Sequence, residues 1–400
     1  MLTYFRADNF KSLVNVTIEP AGLNLLVGRN NSGKTNLCHA LRFLSLTSRM
    51  SLQEAARRCT PEPWSLANVY LDKHPIDLSL RCSLTWQGET LTFEYELILN
   101  APRVGRGPRD KAPLTVAEET LRVTGGRFQC TALIQNNAGR VQLLHERAFL
   151  GETHAGGHYV GTAAPTDHTM LFRLYDLETN QRSNLFKRWL GSWQYFNLDA
   201  LRLRNVEAQP LDMELAWDGS NLASVLYNLK SSDERLYRKI VEATKVVEPK
   251  LDVVNFQSPD PEQVYMFFED GSGKRFGASN ISDGTLRYLA LSTIIIMNRR
   301  AAKEERGVPF VMVEEPENGV FVGHFKPLFD RIEPSGRDGQ YLFTSHAPYF
   351  IDLFDGWLDG LWVARCPQTH TVIERPPRAT IEQQLGEYSL GEMHFRGLLQ

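Results

Sequence analysis

The chain has 400 residues, 42% hydrophobic and 23% charged, enough to bury one large core or two smaller ones without disulfides or a structural metal. A formal net charge of −3 supplies no global pull toward nucleic acid or anionic lipid, so any such contact must come from a local patch. The opening MLTYFRADNFKS lacks the apolar run of a secretory signal, and the longest strongly apolar stretch, 289–297, is far short of a bilayer span, so a cytoplasmic protein without membrane contact is expected.

In chain order, LTYFRA and LVNVTIEP read as strand, turn and strand, and the apolar run Leu23–Val27 leads into a glycine-rich loop and a helix beginning near Gly33. Residues Gly28-Arg29-Asn30-Asn31-Ser32-Gly33-Lys34-Thr35 match G-x-x-x-x-G-K-[ST] in the strand-to-helix setting that this motif needs. Glycines let successive backbone N–H groups point at phosphate, and the helix N-terminus adds a favourable dipole. The chemistry expected is ATP binding, with Lys34 reaching the β and γ phosphates and the Thr35 hydroxyl ligating Mg²⁺.

From residue 76 to 146 the pattern alternates at period two, as in DLSLRCSLTW and TLTFEYELIL, which predicts an antiparallel β subdomain. Within it, 102–113 carries Arg103, Arg106, Arg109 and Lys111 among Gly and Pro; it reads as a solvated connection or as a loop that contacts a partner or DNA. A loop is expected over 151–168, a helix over 167–190 and a short strand over 193–196. Two helices follow in 218–247, with Asp218 or Ser220 available as N-cap, then a hairpin over 263–279 turning at Gly271-Ser272-Gly273.

The last third alternates: helix 283–302, strand 309–313, helix 322–332, strand 340–344, short helix 348–353, strand 360–364. This predicts a parallel sheet flanked by helices. No internal repeat stands out, and no heptad run is long enough for an extended coiled coil. The five cysteines are scattered without a metal-binding pair and fit reduced, mostly buried thiols.

Three later segments carry chemistry. In PFVMVEEPENG, Glu314 and Glu315 end an apolar strand; one carboxylate can hold Mg²⁺ through its water shell while the other orients and deprotonates the attacking water. Neighbouring residues on a strand face opposite ways, so the roles divide only if the strand stops here and the chain turns at Pro316. Ser282 is placed to cap the helix opened by Ile281-Ser282-Asp283-Gly284-Thr285, whose free N–H groups make a second anion site. In YLFTSHAPYF, His346 lies just past a strand, where an imidazole could contact a γ-phosphate and the water.

The four segments, in this order, resemble the Walker A, signature, Walker B with D-loop, and H-switch of ABC-class ATPases. SDGTLRYLAL, EEPEN, DNFKSL and DGSNLASVL are most similar to the RecF, SMC and OLD-like branch, which includes ATPases of bacterial defence operons. The resemblance implies an α/β ABC head, with an N-terminal lobe over 1–200, a helical insertion over 201–250 in place of a coiled coil, and a C-terminal lobe over 251–400. It also implies that Asn30, Asn31, Ser32, Gly33, Lys34, Thr35 and Asn36 embrace the triphosphate, with Thr35 and Glu314 serving Mg²⁺ and Glu315 as general base. Ser282, Asp283 and Gly284 would meet the γ-phosphate bound to the opposite subunit of a homodimer or higher oligomer, and His346 would sense it.

Position 314 is Glu where many relatives have Asp, and Phe321-Val322 replaces the frequent His-Pro. Gln135 and Gln194 are the candidates for the Q-loop glutamine. The function implied is a Mg²⁺-dependent ATPase whose dimer closure regulates a separately encoded effector in phage defence, since about fifty residues after His346 leave no room for a fused Toprim nuclease. The alternative is a RecF-like clamp on DNA. A transporter ATPase ranks third, because L-S-G-G-Q is absent.

Overall fold

The computed structural model describes the chain apart from residues 62, 72–74, 102–112, 127, 147–158, 176–177, 206–212, 261–262, 302–307, 333–334, 337–338 and 400. It opens with strands β1 (Leu2–Asp8), β2 (Val16–Ile18) and β3 (Leu23–Val27) and helices α1 (Lys34–Thr47) and α2 (Leu52–Cys59). Strands β4 (Ile76–Trp86), β5 (Glu89–Asn100), β6 (Thr115–Gly125), β7 (Phe128–Asn137), β8 (Arg140–Leu144) and β9 (Tyr159–Ala163) follow. Helices α3 (Met170–Arg173) and α4 (Gln181–Gly191), strand β10 (Gln194–Phe196), and helices α5 (Leu222–Ser232) and α6 (Glu234–Thr244) complete the first part. The remainder comprises β11 (Leu251–Asp260), β12 (Gln263–Asp270), β13 (Arg275–Gly277), α7 (Asp283–Ala301), β14 (Phe310–Glu314), α8 (Lys326–Phe329) and β15 (Gln340–Ser345). After these come α9 (Pro348–Ile351), β16 (Leu361–Arg365), β17 (Val372–Glu374), α10 (Arg378–Gln384) and α11 (Leu390–Arg396).

A six-stranded sheet, ordered β10-β14-β15-β3-β16-β17, forms the centre; all its pairings are parallel except β16 with β17. Its strands read as unbroken apolar runs because both faces are covered. Leu26, Phe310, Met312, Leu342 and Trp362 enter one hydrophobic core, while Leu25, Val27, Val311, Val313, Phe343 and Val363 enter the other. The first core lies between this sheet, α1, α4 and an eight-stranded antiparallel sheet ordered β2-β1-β4-β5-β6-β7-β8-β9. The second packs α5, α6, α7 and the three-stranded sheet β11-β12-β13 on the opposite face. Helix α7 has apolar residues around its circumference, and Leu286, Leu289, Ala290, Ile294 and Ile295 are all buried.

Residues from both ends of the chain build each core. Gln340, fully buried at the start of β15, accepts from the Leu2 N–H at 2.8 Å and donates to the Leu2 carbonyl at 2.8 Å, so one amide ties the two halves together.

Several expectations need correction. Instead of one helix over 167–190 there are two, because two buried carboxylates each take a helix start. Glu119 accepts from the N–H groups of Met170 and Leu171, and Glu146 from those of Arg182 and Ser183. The expected loop over 151–168 contains β9, an edge strand paired with β8 whose residues are all exposed, so no burial alternation marks it. Helix α5 begins at Leu222 with Asn221 as N-cap; Asp218 spends its carboxylate on the Ser220 N–H, and Ser220 is not the cap. The expected helix over 322–332 is a 3₁₀ turn, Val322–His324, followed by the short α8. Strand β11 went unread; it pairs antiparallel with β12 and extends the expected hairpin to three strands. Cys38, Cys59 and Cys82 are buried free thiols, whereas Cys130 is exposed and Cys366 half-buried. The arginine-rich segment 102–112 lies outside the described residues.

Candidate active site

Parallel register decides where the chemistry sits. Glu314 pairs with Thr344, Thr344 with Leu26, and Ser345 with Val27, so β14, β15 and β3 end side by side. The loops that leave their carboxyl ends carry Glu314-Glu315, His346 and the glycine-rich motif, and this edge is where open α/β sheets bind ligands.

Gly33 adopts φ 97°, and a Cβ there would lie 2.0 Å from Thr371 Oγ1, so both backbone geometry and space demand glycine. Helix α1 starts one residue later. Lys34 is buried and donates to the carbonyls of Gly28 at 2.7 Å and Arg29 at 3.0 Å, folding back over its own loop. Burial lowers its pKa, opposed by the charges of Glu315, Glu314 and Glu317. Ser32 Oγ is buried without a hydrogen-bond partner, while Asn30 and Asn31 lie exposed at the mouth of the loop. An orphaned hydroxyl and a cation satisfied only by backbone carbonyls fit a loop shaped for phosphate. The Asn36 side chain turns elsewhere: its amide donates to Ser12 Oγ at 2.7 Å, which contacts Thr371 Oγ1 at 2.6 Å.

Glu314 Oε2 accepts from Thr35 Oγ1 at 2.9 Å, and Oε1 accepts from the Tyr195 hydroxyl at 3.2 Å. Burial raises its pKa, partly offset by these two bonds. Glu315 departs from the strand with φ 42°, an uncommon left-handed conformation outside glycine, and so points its carboxylate away from that of Glu314. Its Oε1 lies 3.1 Å from His346 Nδ1, and its Oε2 accepts from the Asn318 amide at 3.1 Å. The turn needed to give consecutive carboxylates separate surroundings is therefore present, one residue before Pro316.

The signature residues occupy another element. Ser282 Oγ accepts from the Thr285 N–H at 3.1 Å and caps α7, with Ser282 and Asp283 exposed. Arg204 donates to the Ile281 carbonyl and to Asp283, both at 2.7 Å. A Cβ on Gly284 would meet the Gly319 carbonyl at 2.2 Å, so glycine lets α7 press against the turn after Glu315.

Sequence reasoning missed three residues beside this cluster. Tyr195 supports Glu314 and lies 3.4 Å from His39 Nε2, whose Nδ1 is 2.6 Å from the Lys11 ammonium. Glu317 is buried, accepts from Ser345 Oγ and leaves its other oxygen unpartnered; burial raises its pKa. His394 on α11 has its pKa lowered by burial and by the charges of Lys34, Arg29 and His346. Of these, only Glu317, the third acid of E-E-P-E, was visible as a motif letter; the others come from distant elements. Neither glutamine candidate joins the cluster: Gln135 lines a cavity among β7, β8 and β9, and Gln194 lines one beside α1.

A hydroxyl and a carboxylate are hard oxygen donors suited to Mg²⁺. Among the described residues no group of three or more His, Cys, Asp or Glu could hold a metal, so an ion here would draw its other ligands from phosphate and water. No described helix is long and apolar enough to cross a membrane.

The sequence profile of a family described as "AAA domain, putative AbiEii toxin, Type IV TA system" matches residues 160–352. No curated protein sequence matches the chain. Among solved structures the chain is similar to an SMC head bound to the C-winged helix domain of ScpA, at 12% identity over 93% of this chain and 97% of that one, with a TM-score of 0.53. It is also similar to an SMC head with an extended coiled coil bound to the C-terminal domain of ScpA derived from Pyrococcus furiosus, at 12% identity over 96% and 98%, with a TM-score of 0.49. The first likeness shows the fold of an SMC head.

Proposed function

We propose that this chain, an ABC-class ATPase with an SMC-type head fold, hydrolyses ATP at a site completed by a second copy of itself, and that closing and opening of the pair regulate a separately encoded effector in phage defence. One observation carries the dimer. Lys34, the Thr35–Glu314 pair and the Glu315–His346 pair gather at the sheet edge, whereas Ser282, Asp283 and Gly284 are anchored separately by Arg204 and Gly319. Ser282 and Asp283 are exposed at a helix N-terminus, where the Asp283 carboxylate is drawn aside to Arg204.

In this reading Lys34 exchanges two backbone carbonyls for the β and γ phosphates, and the Ser32 hydroxyl gains its missing partner. Mg²⁺, held by Thr35 and Glu314, would neutralise charge on the phosphates. Glu315, oriented by His346 and Asn318, accepts the proton of the attacking water. The Ser282 hydroxyl and the α7 N-terminus of the second copy meet the γ-phosphate, so ATP favours the closed pair and hydrolysis releases it.

Support for a protein effector comes from the family description, which names a toxin of a type IV toxin–antitoxin system, and from exposed aromatics near the site. Tyr349 on α9 is 77% exposed and Phe395 on α11 is 78% exposed, on helices joined where Asp352 accepts from the Gly391 N–H at 2.7 Å. Aromatic side chains exposed together suit a protein interface. The similar SMC head with a TM-score of 0.53 was solved with a ScpA domain bound, a precedent for a partner on this fold.

The test is Glu315→Gln, which keeps shape but removes the proton acceptor. With Mg²⁺ and ATP this variant should accumulate as a closed dimer in light-scattering mass measurements, and Ser282→Arg in the same chain should keep it monomeric. Equal masses for the two proteins would refute the shared site.

A further inference from the structure

Behind Glu314 lies a cavity of about 350 Å³ between α1, α2, β10 and the segment 214–217, a volume in the range of small-molecule sites. Its charged lining is Arg42, Arg49 and Arg58 against a single acid, Glu214. Its aromatic wall comprises Tyr195 and Trp217, whose rings lie 6.4 Å apart at 22°. The Arg42 guanidinium is 4.5 Å from the Tyr195 centroid and 5.1 Å from that of Trp217.

Among the described residues the guanidiniums of Arg42 and Arg49 make no hydrogen bond or ion pair, yet burial lowers the pKa of both. Arg58 pairs only with the exposed Glu54, at 3.5 Å. Arg42 is half-buried without an acceptor, whereas Arg49 and Arg58 are exposed in the cavity lining, free to turn toward a phosphate that would engage them bidentately. Trp217 is 47% exposed and offers an open face to a planar ring.

We propose that this cavity binds a 5′-phosphorylated nucleotide, with the phosphate on Arg49 and Arg58 and the base against Trp217, and that Tyr195 reports its occupancy to Glu314. Tyr195 is the physical link, since its ring faces the cavity while its hydroxyl holds the Glu314 carboxylate at 3.2 Å. A ligand that shifts Arg42 or Trp217 moves the ring whose hydroxyl fixes the metal-side carboxylate. The nucleotide could be free or the phosphorylated end of a short nucleic acid strand. The shared chemistry is one phosphate and one base.

The probe is a six-nucleotide thymidine strand carrying a 5′-phosphate and a 3′-fluorophore, followed by fluorescence anisotropy with the full chain. Arg49→Ala and Trp217→Ala should each weaken binding roughly tenfold or more, as should removal of the 5′-phosphate. Both side chains are exposed, so unchanged melting curves would show these variants folded. Lys34→Ala should bind the probe as the unaltered chain does, which separates this cavity from the ATP loop. Displacement by thymidine 5′-monophosphate identifies a free nucleotide as the ligand, and failure of displacement identifies a strand end. Tyr195→Phe should retain the probe but lose the change in phosphate release that the probe causes. The proposal is overturned if the probe does not bind, if Arg49→Ala and Trp217→Ala bind it normally, or if Lys34→Ala is the variant that loses it. The coupling is overturned if Tyr195→Phe responds to the probe as the unaltered chain does.

Discussion

At the start of α1 the glycine-rich motif is partly enclosed: Lys34 is buried over its own loop, Gly33 is pinned under Thr371, and Thr35 is bonded to Glu314. At the start of α7 the corresponding residues are open, with Ser282 and Asp283 exposed and held by Arg204 from one side. Both are helix N-termini with unspent N–H groups. One has the Glu314 and Glu315 carboxylates beside it and the other does not. On the function proposed above, the first is a nearly complete chemical site lacking an outer wall, and the second supplies that wall to another copy.

The enclosed region should fail most severely when broken. Lys34→Ala removes the cation of a desolvated phosphate loop, and phosphate release should fall to background; wild-type turnover would break the assignment. Glu315→Gln should lower hydrolysis by roughly 10²-fold while nucleotide binding, read by calorimetry, survives.

The open region should respond more mildly. Arg204→Ala frees Ile281 and Asp283 but leaves every residue of the enclosed cluster in place, so the ATP concentration needed for half-maximal dimerisation should rise roughly tenfold. ATP binding to the monomer should stay unchanged, and Arg204→Lys should restore part of the loss. An equal loss of monomer binding would mean that the two regions are not separable.

A smaller effect reports the support behind Glu314. His39, half-buried beside Lys11, has its pKa lowered to about 3 from 6.5, first by burial and then by the charges of Lys11 and Arg42. The unfolded chain therefore binds an extra proton in that window, and stability falls as pH drops from about 6.5 toward 3. The slope from this group is at most about 1.4 kcal/mol per pH unit. His39→Gln keeps an acceptor for Lys11 but cannot titrate, so its urea midpoint should change less between pH 7 and 5. An unchanged pH dependence would assign the acid sensitivity elsewhere.

The same contrast governs how much was legible in the sequence. The central sheet, the phosphate loop and the carboxylate turn were readable because each is local: apolar runs of strand length, glycines at fixed spacing, two acids before a proline. The capping of α7 by Ser282 was readable for the same reason. Tyr195, Arg204 and His394 were not, because they reach the site across sheet register and helix packing that no short window encodes. Glu119 and Glu146 were hidden similarly; as acids in or beside alternating strands they look solvated, yet each is buried to start a helix elsewhere in the chain. Asn36 shows the converse, a motif neighbour whose side chain turns to Ser12, a contact that no motif letter announces.

The most direct test mixes two inactive proteins. Lys34→Ala keeps its signature residues, and Ser282→Arg keeps its phosphate loop, so each homodimer lacks both sites while a mixed dimer regains one. Equimolar mixing should restore phosphate release to roughly a quarter of the wild-type rate or more, since each mixed pair carries one intact site of two and only mixed pairs can close. If the mixture stays as inactive as its components, or if Ser282→Arg alone hydrolyses ATP normally, the site is not shared between two copies.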